Sequence, residues 1–311
     1  MKILIIGYGT QGKKRLKFID KKSKVVGIVD PISRYSNYKS FDQVPLSIFD
    51  TVFLCTPDMV KEEYILYFAK NKKNILVEKP LIVKNINRLN YIEKLIKKNN
   101  IVIYTAYNHR FEPNFINANK IIQSGALGKI YSCRLFYGNG TARLVKNSPW
   151  RDQNSGVFGD LAPHLIDLCY FWFGTKQTKD FKLVSTFNHE NSSPDHVVIK
   201  SSNKNFNIEL EMTLCMWRNS FYCDIIGENG SLHIDSMCKW GPSTLTQRKR
   251  KLPSGVPTQK VKKIISNDPT WSAEFSYFNK LIKNKFKPNL TIDKLILKNI
   301  NKIEKEIKNS L

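Results

Sequence analysis

Short apolar runs alternate with amphipathic segments in the first third of the chain. Five apolar runs end in turns, and they read KILIIGYG, KVVGIVD, TVFLCTP, NILVEKP and IVIYTAY. Segments with helical periodicity separate most of them, as in GKKRLKFIDKK, MVKEEYILYFAKN and INRLNYIEKLIKKNN. Apolar strands that alternate with helices are typical of parallel βαβ units buried on both faces. The pattern predicts an N-terminal α/β domain with a doubly wound parallel sheet.

The alternation of strands and helices ends after residue 107. A helix near 113–124 leads to the strand-like IYSCRLFYG, and a later helix carries DLAPHLID. From about 180 to 236 several strand-like segments follow one another, with hairpin turns at 203–205 and 228–230. Strands in succession without helices indicate an antiparallel sheet, and helices near 271–284 and 291–308 close the chain. We predict two domains, at residues 1–118 and 119–311, the second of α+β class.

Composition places the chain among ordinary globular proteins. It has 311 residues, of which 41% are hydrophobic and 24% charged. No apolar run approaches the length that crosses a bilayer, and the N-terminal run lacks a signal-peptide cleavage pattern. The six cysteines contain no CxxC pair, which suits buried thiols in a reducing compartment. We therefore predict a cytoplasmic protein without a membrane partner and without a metal site.

The formal charge of +24 is the unusual feature of the composition. A positive net charge of this size attracts polyanions. Arginine is the residue that dominates planar phosphate and base recognition, but it supplies only 10 of the 50 basic residues. The one dense basic run, QRKRK at 247–251, lies in a Pro-containing stretch from about 240 to 270. We expect a solvated loop there in preference to a nucleic-acid patch.

A glycine-rich turn joins the first predicted strand to the first predicted helix. It reads GYGTQG and consists of Gly7, Tyr8, Gly9, Thr10, Gln11 and Gly12. Glycines at this spacing allow a tight turn whose helix N-terminus faces a pyrophosphate. Asp30 ends the second strand 18 residues after Gly12, the spacing at which a carboxylate binds the adenine ribose and repels a 2′-phosphate. NAD is favoured over NADP, and Arg34 keeps NADP as the alternative.

Two further strand ends carry residues of interest. Thr56-Pro57 follows the third strand, and Glu78-Lys79-Pro80 follows the fourth. Ligands of doubly wound sheets bind at the carboxyl ends of the strands, so Lys79 is predicted to lie in the binding cleft. The alternative is an ordinary lysine at an exposed strand end.

Several motifs together resemble the Gfo/Idh/MocA family, the glucose-fructose oxidoreductase and inositol dehydrogenase group. They are GYGTQG, the TP after the third strand, VEKPL at 77–81, NHRFEP at 108–113, WRD at 150–152 and DLAPHLID at 160–167. The resemblance covers essentially the whole chain. It implies an N-terminal Rossmann domain, a C-terminal α+β domain whose open sheet forms dimer or tetramer contacts, and hydride transfer between a nicotinamide and a sugar or polyol carbon.

The resemblance also implies roles for individual residues. Lys79 matches the lysine at the nicotinamide ribose and substrate hydroxyl, and Asp160 and His164 match the acid/base pair. Arg110 and Arg151 fall in segments that approach cofactor or substrate, so the predicted substrate-binding residues are Lys79, Arg110, Arg151 and His164. The predicted cofactor-binding residues are Gly7, Tyr8, Gly9, Thr10, Gln11, Gly12, Asp30, Thr56, Pro57, Glu78, Lys79 and Asn108.

Elementary chemistry also predicts an acid/base role for the DLAPHLID helix. Oxidation of a secondary alcohol needs a base for the hydroxyl proton, and histidine has a suitable pKa. Asp160 and Asp167 lie four residues before and three residues after His164, so both neighbour it on a helix. A carboxylate on one ring nitrogen would orient the imidazole. Asp160 is also expected to cap the helix, with Pro163 in its first turn.

The sequence departs from the family pattern at a few positions. Ala162 and Pro163 stand where the family usually has Gly and often Ser, and Asn154-Ser155-Gly156 replaces a glycine run. Lys61 stands where a His commonly follows the TP segment, which leaves the proton-transfer residues intact. Ala162 and Pro163 could narrow the approach to the nicotinamide.

These observations predict an NAD-dependent oxidoreductase acting on a sugar, with a nucleotide sugar of surface-glycan biosynthesis as a substrate that suits the positive charge. The first alternative is a dinucleotide- or sugar-binding sensor that keeps the fold without turnover. The second is nucleic-acid binding through residues 247–263.

Overall fold

The computed structural model describes residues 1–149, 151–284, 286 and 289–310. The chain divides into two compact units: unit 1 comprises Met1–Asn108 with Thr270–Leu297, and unit 2 comprises His109–Pro269 with the residues from Lys298 onward. The units are thus interleaved in sequence, whereas the predicted sequence domains, 1–118 and 119–311, meet at a single boundary and stay a prediction. Within the predicted second domain the residues outside the described ranges are Trp150, Lys285, Lys287, Pro288 and Leu311.

Eight α-helices of four residues or more are described. They are α1 Thr10–Lys17, α2 Asp58–Lys70, α3 Ile86–Asn99, α4 Pro113–Gln123, α5 Ala142–Lys146, α6 Val157–Gln177, α7 Thr270–Lys283 and α8 Thr291–Ser310. The helices predicted from periodicity correspond to all of these except the short α5. Amphipathic spacing explains this agreement, because each predicted segment presents an apolar stripe to a core.

Unit 1 is built on a five-stranded parallel sheet. Its strands are β1 Lys2–Ile6, β2 Lys24–Val29, β3 Thr51–Leu54, β4 Asn74–Glu78 and β5 Ile103–Ala106. They lie in the order β2-β1-β3-β4-β5, and every neighbouring pair is parallel. The prediction of a doubly wound, Rossmann-type sheet is confirmed.

Alternate side chains of the central strands enter two different cores of unit 1. Val52 and Leu54 face the core shared with α2 and α3. Phe53 faces the opposite core, where its ring centroid lies 6.2 Å from that of Phe275 and 6.0 Å from that of Phe278, both in α7. Helix α7, which follows more than 160 residues after β5, therefore covers one face of the N-terminal sheet.

Unit 2 is built on an eight-stranded sheet. Its strands are β6 Ile130–Gly138, β7 Lys182–Phe187, β8 His196–Ser202, β9 Asn207–Thr213, β10 Ser220–Gly227, β11 Gly230–Asp235, β12 Ser243–Lys251 and β13 Gly255–Ile264. The order is β13-β12-β11-β10-β6-β9-β8-β7. Among the described strands of this sheet, only the central β6–β9 pair is parallel, so the predicted mostly antiparallel sheet is confirmed.

The basic stretch near residue 250 is a β-hairpin, and the expectation of a loop was wrong. Arg248 of β12 pairs with Gln259 of β13, and Gln247 pairs with Lys260. Nearly every residue of β13 is exposed. A strand that buries neither face has no alternation of apolar and polar residues, which is the signal that predicts a half-buried strand.

One face of the eight-stranded sheet is covered and the other carries exposed apolar side chains. Helix α6 packs on β9, β8 and β6, over buried side chains such as Leu210 and Ile199. On strand positions that alternate with the buried ones, Phe187, Tyr222 and Ile226 are exposed. None of the described helices is both long enough and apolar enough to cross a membrane.

Candidate active site

The glycine-rich turn of unit 1 has the shape that its spacing predicts. Gly7 follows β1 with φ +87°, and a Cβ on it would lie 2.4 Å from the carbonyl oxygen of Cys55. A Cβ on Gly12 would lie 2.0 Å from the carbonyl oxygen of Gly7. Gly9, at the N-terminus of α1, has no other heavy atom within 4 Å of its Cβ position. The turn is therefore closed on its inner side and open beside Gly9, which fits the approach of a dinucleotide pyrophosphate.

Asp30 is held beside this turn by backbone donors. Its Oδ2 accepts a hydrogen bond from the amide of Tyr8 at 2.7 Å, and its Oδ1 accepts from the amides of Ser33 at 2.7 Å and Ile32 at 3.0 Å. Partial burial raises the pKa of Asp30, but the amides of Tyr8, Ser33 and Ile32 outweigh it and hold the pKa below its ordinary value. The ionised carboxylate keeps lone pairs for ribose hydroxyls.

The carboxyl end of β4 carries the Glu78-Lys79-Pro80 turn. The carboxylate of Glu78 accepts a hydrogen bond from Nε of Arg15 at 2.6 Å. The side-chain amide of Asn108 donates to Oγ1 of Thr270 at 3.0 Å. The roles of Glu78, Lys79 and Asn108 toward the cofactor stay predictions, as do those of Tyr8, Thr10, Gln11, Thr56 and Pro57.

Arg15 lies at the centre of a buried charge cluster. Its guanidinium also donates to Glu274 at 2.5 Å and lies 4.4 Å from the ring centroid of Trp271. Glu274 is fully buried and accepts from the hydroxyl of Tyr104 at 3.3 Å. Burial raises the pKa of Glu274 to about 7, against the opposing effect of Arg15.

In unit 2, helix α6 carries the predicted acid/base residues. The helix begins at Val157 after Gly156, whose φ is +50°. Asp160 is its fourth residue and Pro163 its seventh, so the expectation that Asp160 caps the helix, with Pro163 in the first turn, was wrong. Asp160 is exposed and His164 is half-buried, one helical turn apart on the same face.

His109 is a neighbour of His164 that the sequence reasoning did not assign. The two imidazole rings stack with centroids 4.0 Å apart and an interplanar angle of 20°. The ring of Tyr137 lies 5.6 Å from that of His109. Burial raises the pKa of Tyr137, and the charge of Asp160 raises it further, which places the Asp160 carboxylate near this aromatic cluster. His109 lies in the NHRFEP segment, but a single sequence provides no signal that it stacks on His164.

The second carboxylate of the DLAPHLID segment, that of Asp167, pairs with an arginine. Asp167 is buried and accepts two hydrogen bonds from the guanidinium of Arg110. Burial raises the pKa of Asp167, and the Arg110 charge opposes that rise. Bidentate pairing fixes both side chains, so Arg110 would orient α6 as well as serve the substrate. Its substrate role stays a prediction.

The WRD segment lies partly within the described residues. Trp150 lies outside them. The backbone amide of Arg151 donates to the carbonyl of Ser148 at 2.8 Å, and its predicted substrate contact stays a prediction. Asp152, to which no role was assigned, accepts from the amide and hydroxyl of Ser193 at 2.7 and 2.8 Å.

No metal site is indicated among the residues that the structure describes. No group of three or more His, Cys, Asp or Glu side chains there is arranged to hold a metal ion. The six cysteines are free thiols.

The fold and the glycine-rich turn define an α/β dinucleotide-binding protein with a second, α+β domain. Residues 1–107 match the family described as "Oxidoreductase family, NAD-binding Rossmann fold", and residues 119–291 match its "C-terminal alpha/beta domain". These matches cover most of the chain, which belongs to the Gfo/Idh/MocA oxidoreductase family. Unit 1 accordingly carries the family's NAD-binding domain, and the resemblance inferred from the motifs is confirmed.

Curated relatives share part of the sequence. Levoglucosan dehydrogenase of Pseudarthrobacter phenanthrenivorans is 34% identical over 129 residues, 40% of this chain and 33% of that protein. Myo-inositol 2-dehydrogenase of Thermotoga maritima is 26% identical over 134 residues, 42% of this chain and 38% of that protein. The matched stretches therefore span only about a third to two fifths of these relatives' length.

Solved structures share the fold over the whole chain. Levoglucosan dehydrogenase in complex with NADH superposes with a TM-score of 0.82 and 19% identity, covering 99% of this chain and 97% of that one. At this identity the likeness shows the fold alone.

Proposed function

We propose that the chain is an NAD-dependent oxidoreductase that interconverts a carbinol and a ketone on a sugar or polyol. The observation that carries the proposal is the arrangement on α6, where His164 stacks on His109 one helical turn after Asp160. An imidazole beside a carboxylate, in a chain whose other unit is an NAD-binding domain, suits proton transfer coupled to hydride transfer.

Each residue of the proposed site has a role that suits its chemistry. The nicotinamide, when bound, accepts or supplies the hydride. His164 takes or returns the hydroxyl proton, and Asp160 stabilises the imidazolium that results. Lys79 polarises the reacting oxygen with its ammonium group. His109 stacks on the His164 ring and so fixes the orientation of the imidazole and of its ring nitrogens.

The substrate class rests on chemistry and on the named relatives. Those relatives are, by their names, dehydrogenases of levoglucosan and of inositol, which are cyclic polyhydroxyl compounds. The net charge of +24 suits an anionic sugar derivative, and we infer a nucleotide sugar or related derivative of surface-glycan biosynthesis as the finer candidate.

We also propose an oligomeric state and a cellular location for the protein. The face of the eight-stranded sheet opposite α6 exposes Phe187, Tyr222 and Ile226, which supports a homo-oligomer, a dimer or tetramer, formed through that sheet. Free thiols support a cytoplasmic location.

Cofactor binding is the first experiment. Purified protein is titrated with NADH and with NADPH while nicotinamide fluorescence is recorded. Tighter binding of NADH than of NADPH supports the reading of Asp30, and a panel of sugars, polyols and nucleotide sugars is then screened for turnover. NADH binding with no turnover on the panel favours the sensor alternative. Binding of neither nucleotide below millimolar concentration contradicts the proposal.

Substitution of His164 tests the proton-transfer role. In His164→Asn we expect kcat to fall about 10²- to 10⁴-fold, because a general base contributes about that much, while the NADH dissociation constant stays within about threefold. The matched control is His189→Asn, since His189 is an exposed histidine of the same unit. Retention of wild-type kcat by His164→Asn would remove the residue from the mechanism.

A further inference from the structure

Lys61 is a buried lysine at the carboxyl end of β4. Its side chain is 2% exposed, and it is the fourth residue of α2. Its Nζ donates to the carbonyl oxygens of Glu78 at 2.7 Å, Pro80 at 3.0 Å and Lys79 at 3.4 Å. The carboxylate of Asp58 lies 2.6 Å from the same nitrogen. One ammonium group thus holds three successive carbonyls of the turn that carries Lys79.

The chemistry of an ammonium group suits this task. It has three donors and can serve several acceptors at once, whereas a neutral imidazole has one N–H. Burial lowers the pKa of Lys61, and the charges of Asp58 and Glu78 oppose that effect. A buried charge of this kind is tolerated because it is paired and hydrogen-bonded.

The turn is also anchored from its other side. Arg15 of α1 holds the carboxylate of Glu78 at 2.6 Å, while Lys61 of α2 holds the carbonyl of the same residue. Both neighbours of Lys79 are therefore anchored: Glu78 is bound by residues of α1 and α2. Pro80 is bound by α2. Lys79 is the residue that lies between these two anchored neighbours.

We propose that Lys61 is a positioning residue: it fixes the backbone of the Glu78–Pro80 turn and so aims the ammonium group of Lys79 at the reacting oxygen. The proposal rests on the function proposed above, because it assigns Lys61 a role only if Lys79 acts in the reaction. The motif pattern did not assign Lys61 any part, since its position is one where the family commonly has a histidine.

A matched pair of lysines allows a sharp test. Lys73 also donates to two backbone carbonyls of unit 1, those of Leu46 at 2.6 Å and Phe49 at 2.8 Å, but neither carbonyl belongs to the Lys79 turn. Lys61→Met and Lys73→Met each remove one such clamp. Three quantities are measured for each variant: the acylation rate of the Lys79 amine by a water-soluble N-hydroxysuccinimide ester, read by peptide mass spectrometry; the NADH dissociation constant; and kcat and KM.

Lys61→Met is expected to change the Lys79 turn and Lys73→Met is not. Freed from its clamp, Lys79 should be acylated at least about threefold faster, because local opening exposes the amine. The kcat should fall about 10- to 100-fold, since small misplacements of a catalytic group have effects of that size. In Lys73→Met both quantities should stay within about twofold of wild type, although both variants lose thermal stability.

The outcomes separate the two proposals. If Lys61→Met is acylated at Lys79 like wild type and keeps its kcat, the positioning role is wrong. If wild type turns over no substrate while Lys61→Met alone changes the acylation rate, the clamp holds and the proposed function fails. Should Lys61→Met not fold, Lys61→His keeps a single donor, and an acylation rate within about twofold of wild type in that variant overturns the proposal.

Discussion

At the scale of single residues, two glycines of the dinucleotide turn, Gly9 and Gly12, have different roles. A Cβ on Gly12 would clash with the carbonyl oxygen of Gly7 at 2.0 Å, within the protein itself. A Cβ on Gly9 would meet no other heavy atom within 4 Å. Gly12 is thus required by the fold, whereas Gly9 leaves room for a ligand.

Substitution of the two glycines should therefore have different effects. We expect Gly12→Ala to lose several degrees of thermal stability, about 1–3 kcal/mol or more, because overpacking against backbone cannot relax cheaply. Gly9→Ala should keep the wild-type melting temperature within about two degrees but weaken NADH binding about tenfold or more, since the methyl group occupies the approach of the pyrophosphate. Differential scanning fluorimetry and NADH titration measure both effects. Equal NADH affinity in Gly9→Ala and wild type would place the pyrophosphate elsewhere.

Residues missed by the sequence reasoning share a physical property. His109 and Lys61 act through partners that are distant in sequence, His164 and the Glu78–Pro80 carbonyls. Their residue types carry no local pattern, because a stacked ring or a carbonyl clamp is defined only by the neighbour. Arg15 is of the same kind, since its partners Glu78 and Glu274 lie 63 and 259 residues away.

At the scale of elements, Arg15 joins a helix, a strand and a distant helix. It lies on α1, while Glu78 ends β4 and Glu274 belongs to α7. One guanidinium thus faces two carboxylates in a buried place, and burial raises the pKa of Glu274 from its ordinary 4.5 to about 7. The folded chain then holds a proton on Glu274 that the unfolded chain has lost between these two pH values.

Stability should accordingly fall with rising pH through this window. Because the folded state binds more protons than the unfolded state between pH 4.5 and 7, the contribution of Glu274 to the free energy of unfolding decreases there as pH rises. We expect wild type to lose up to about 3 kcal/mol more than Glu274→Gln between pH 5 and pH 8. Urea unfolding at both pH values measures this. Glu63→Gln, an exposed carboxylate on α2, is the control and should track wild type, and parallel pH dependence of Glu274→Gln and wild type would disprove the assignment.

At the scale of the whole molecule, the C-terminal segment completes the N-terminal fold. Phe275, Phe278 and Leu281 of α7 are buried in the core that also contains Phe53 of β3. One face of the parallel sheet is therefore covered by residues that follow all of unit 2's strands in sequence. Unit 1 is one compact unit assembled from two separate pieces of chain.

A fragment experiment tests this interdependence. Residues 1–108 alone should lack a cooperative unfolding transition and bind a hydrophobic dye. Each of the three missing side chains is worth about 2–5 kcal/mol, against a total stability of about 5–15 kcal/mol for a domain. The same fragment joined by a flexible linker to residues 270–297 should regain a cooperative transition. Cooperative unfolding of residues 1–108 alone would show that α7 is dispensable.

The amino-acid sequence by itself determined the elements and the family. Apolar runs predicted the strands of both sheets except β12 and β13. The predicted strands carry apolar side chains at buried or half-buried positions, whereas β13 is exposed along nearly its whole length. Spacing alone identified the glycine-rich turn and Asp30, since the turn, the strand end and the helix are contiguous in sequence. The Gfo/Idh/MocA motifs likewise are short and local.

The tertiary structure decided the features that depend on contacts between residues distant in the sequence. It showed that the basic stretch is an exposed hairpin, that Asp167 binds Arg110, and that α6 begins at Val157, ahead of Asp160. It also placed His109 on His164 and Lys61 under the Lys79 turn. Local periodicity reports which face of an element is buried, but it carries no information on which distant side chain fills the space opposite, and that choice belongs to the folded chain as a whole.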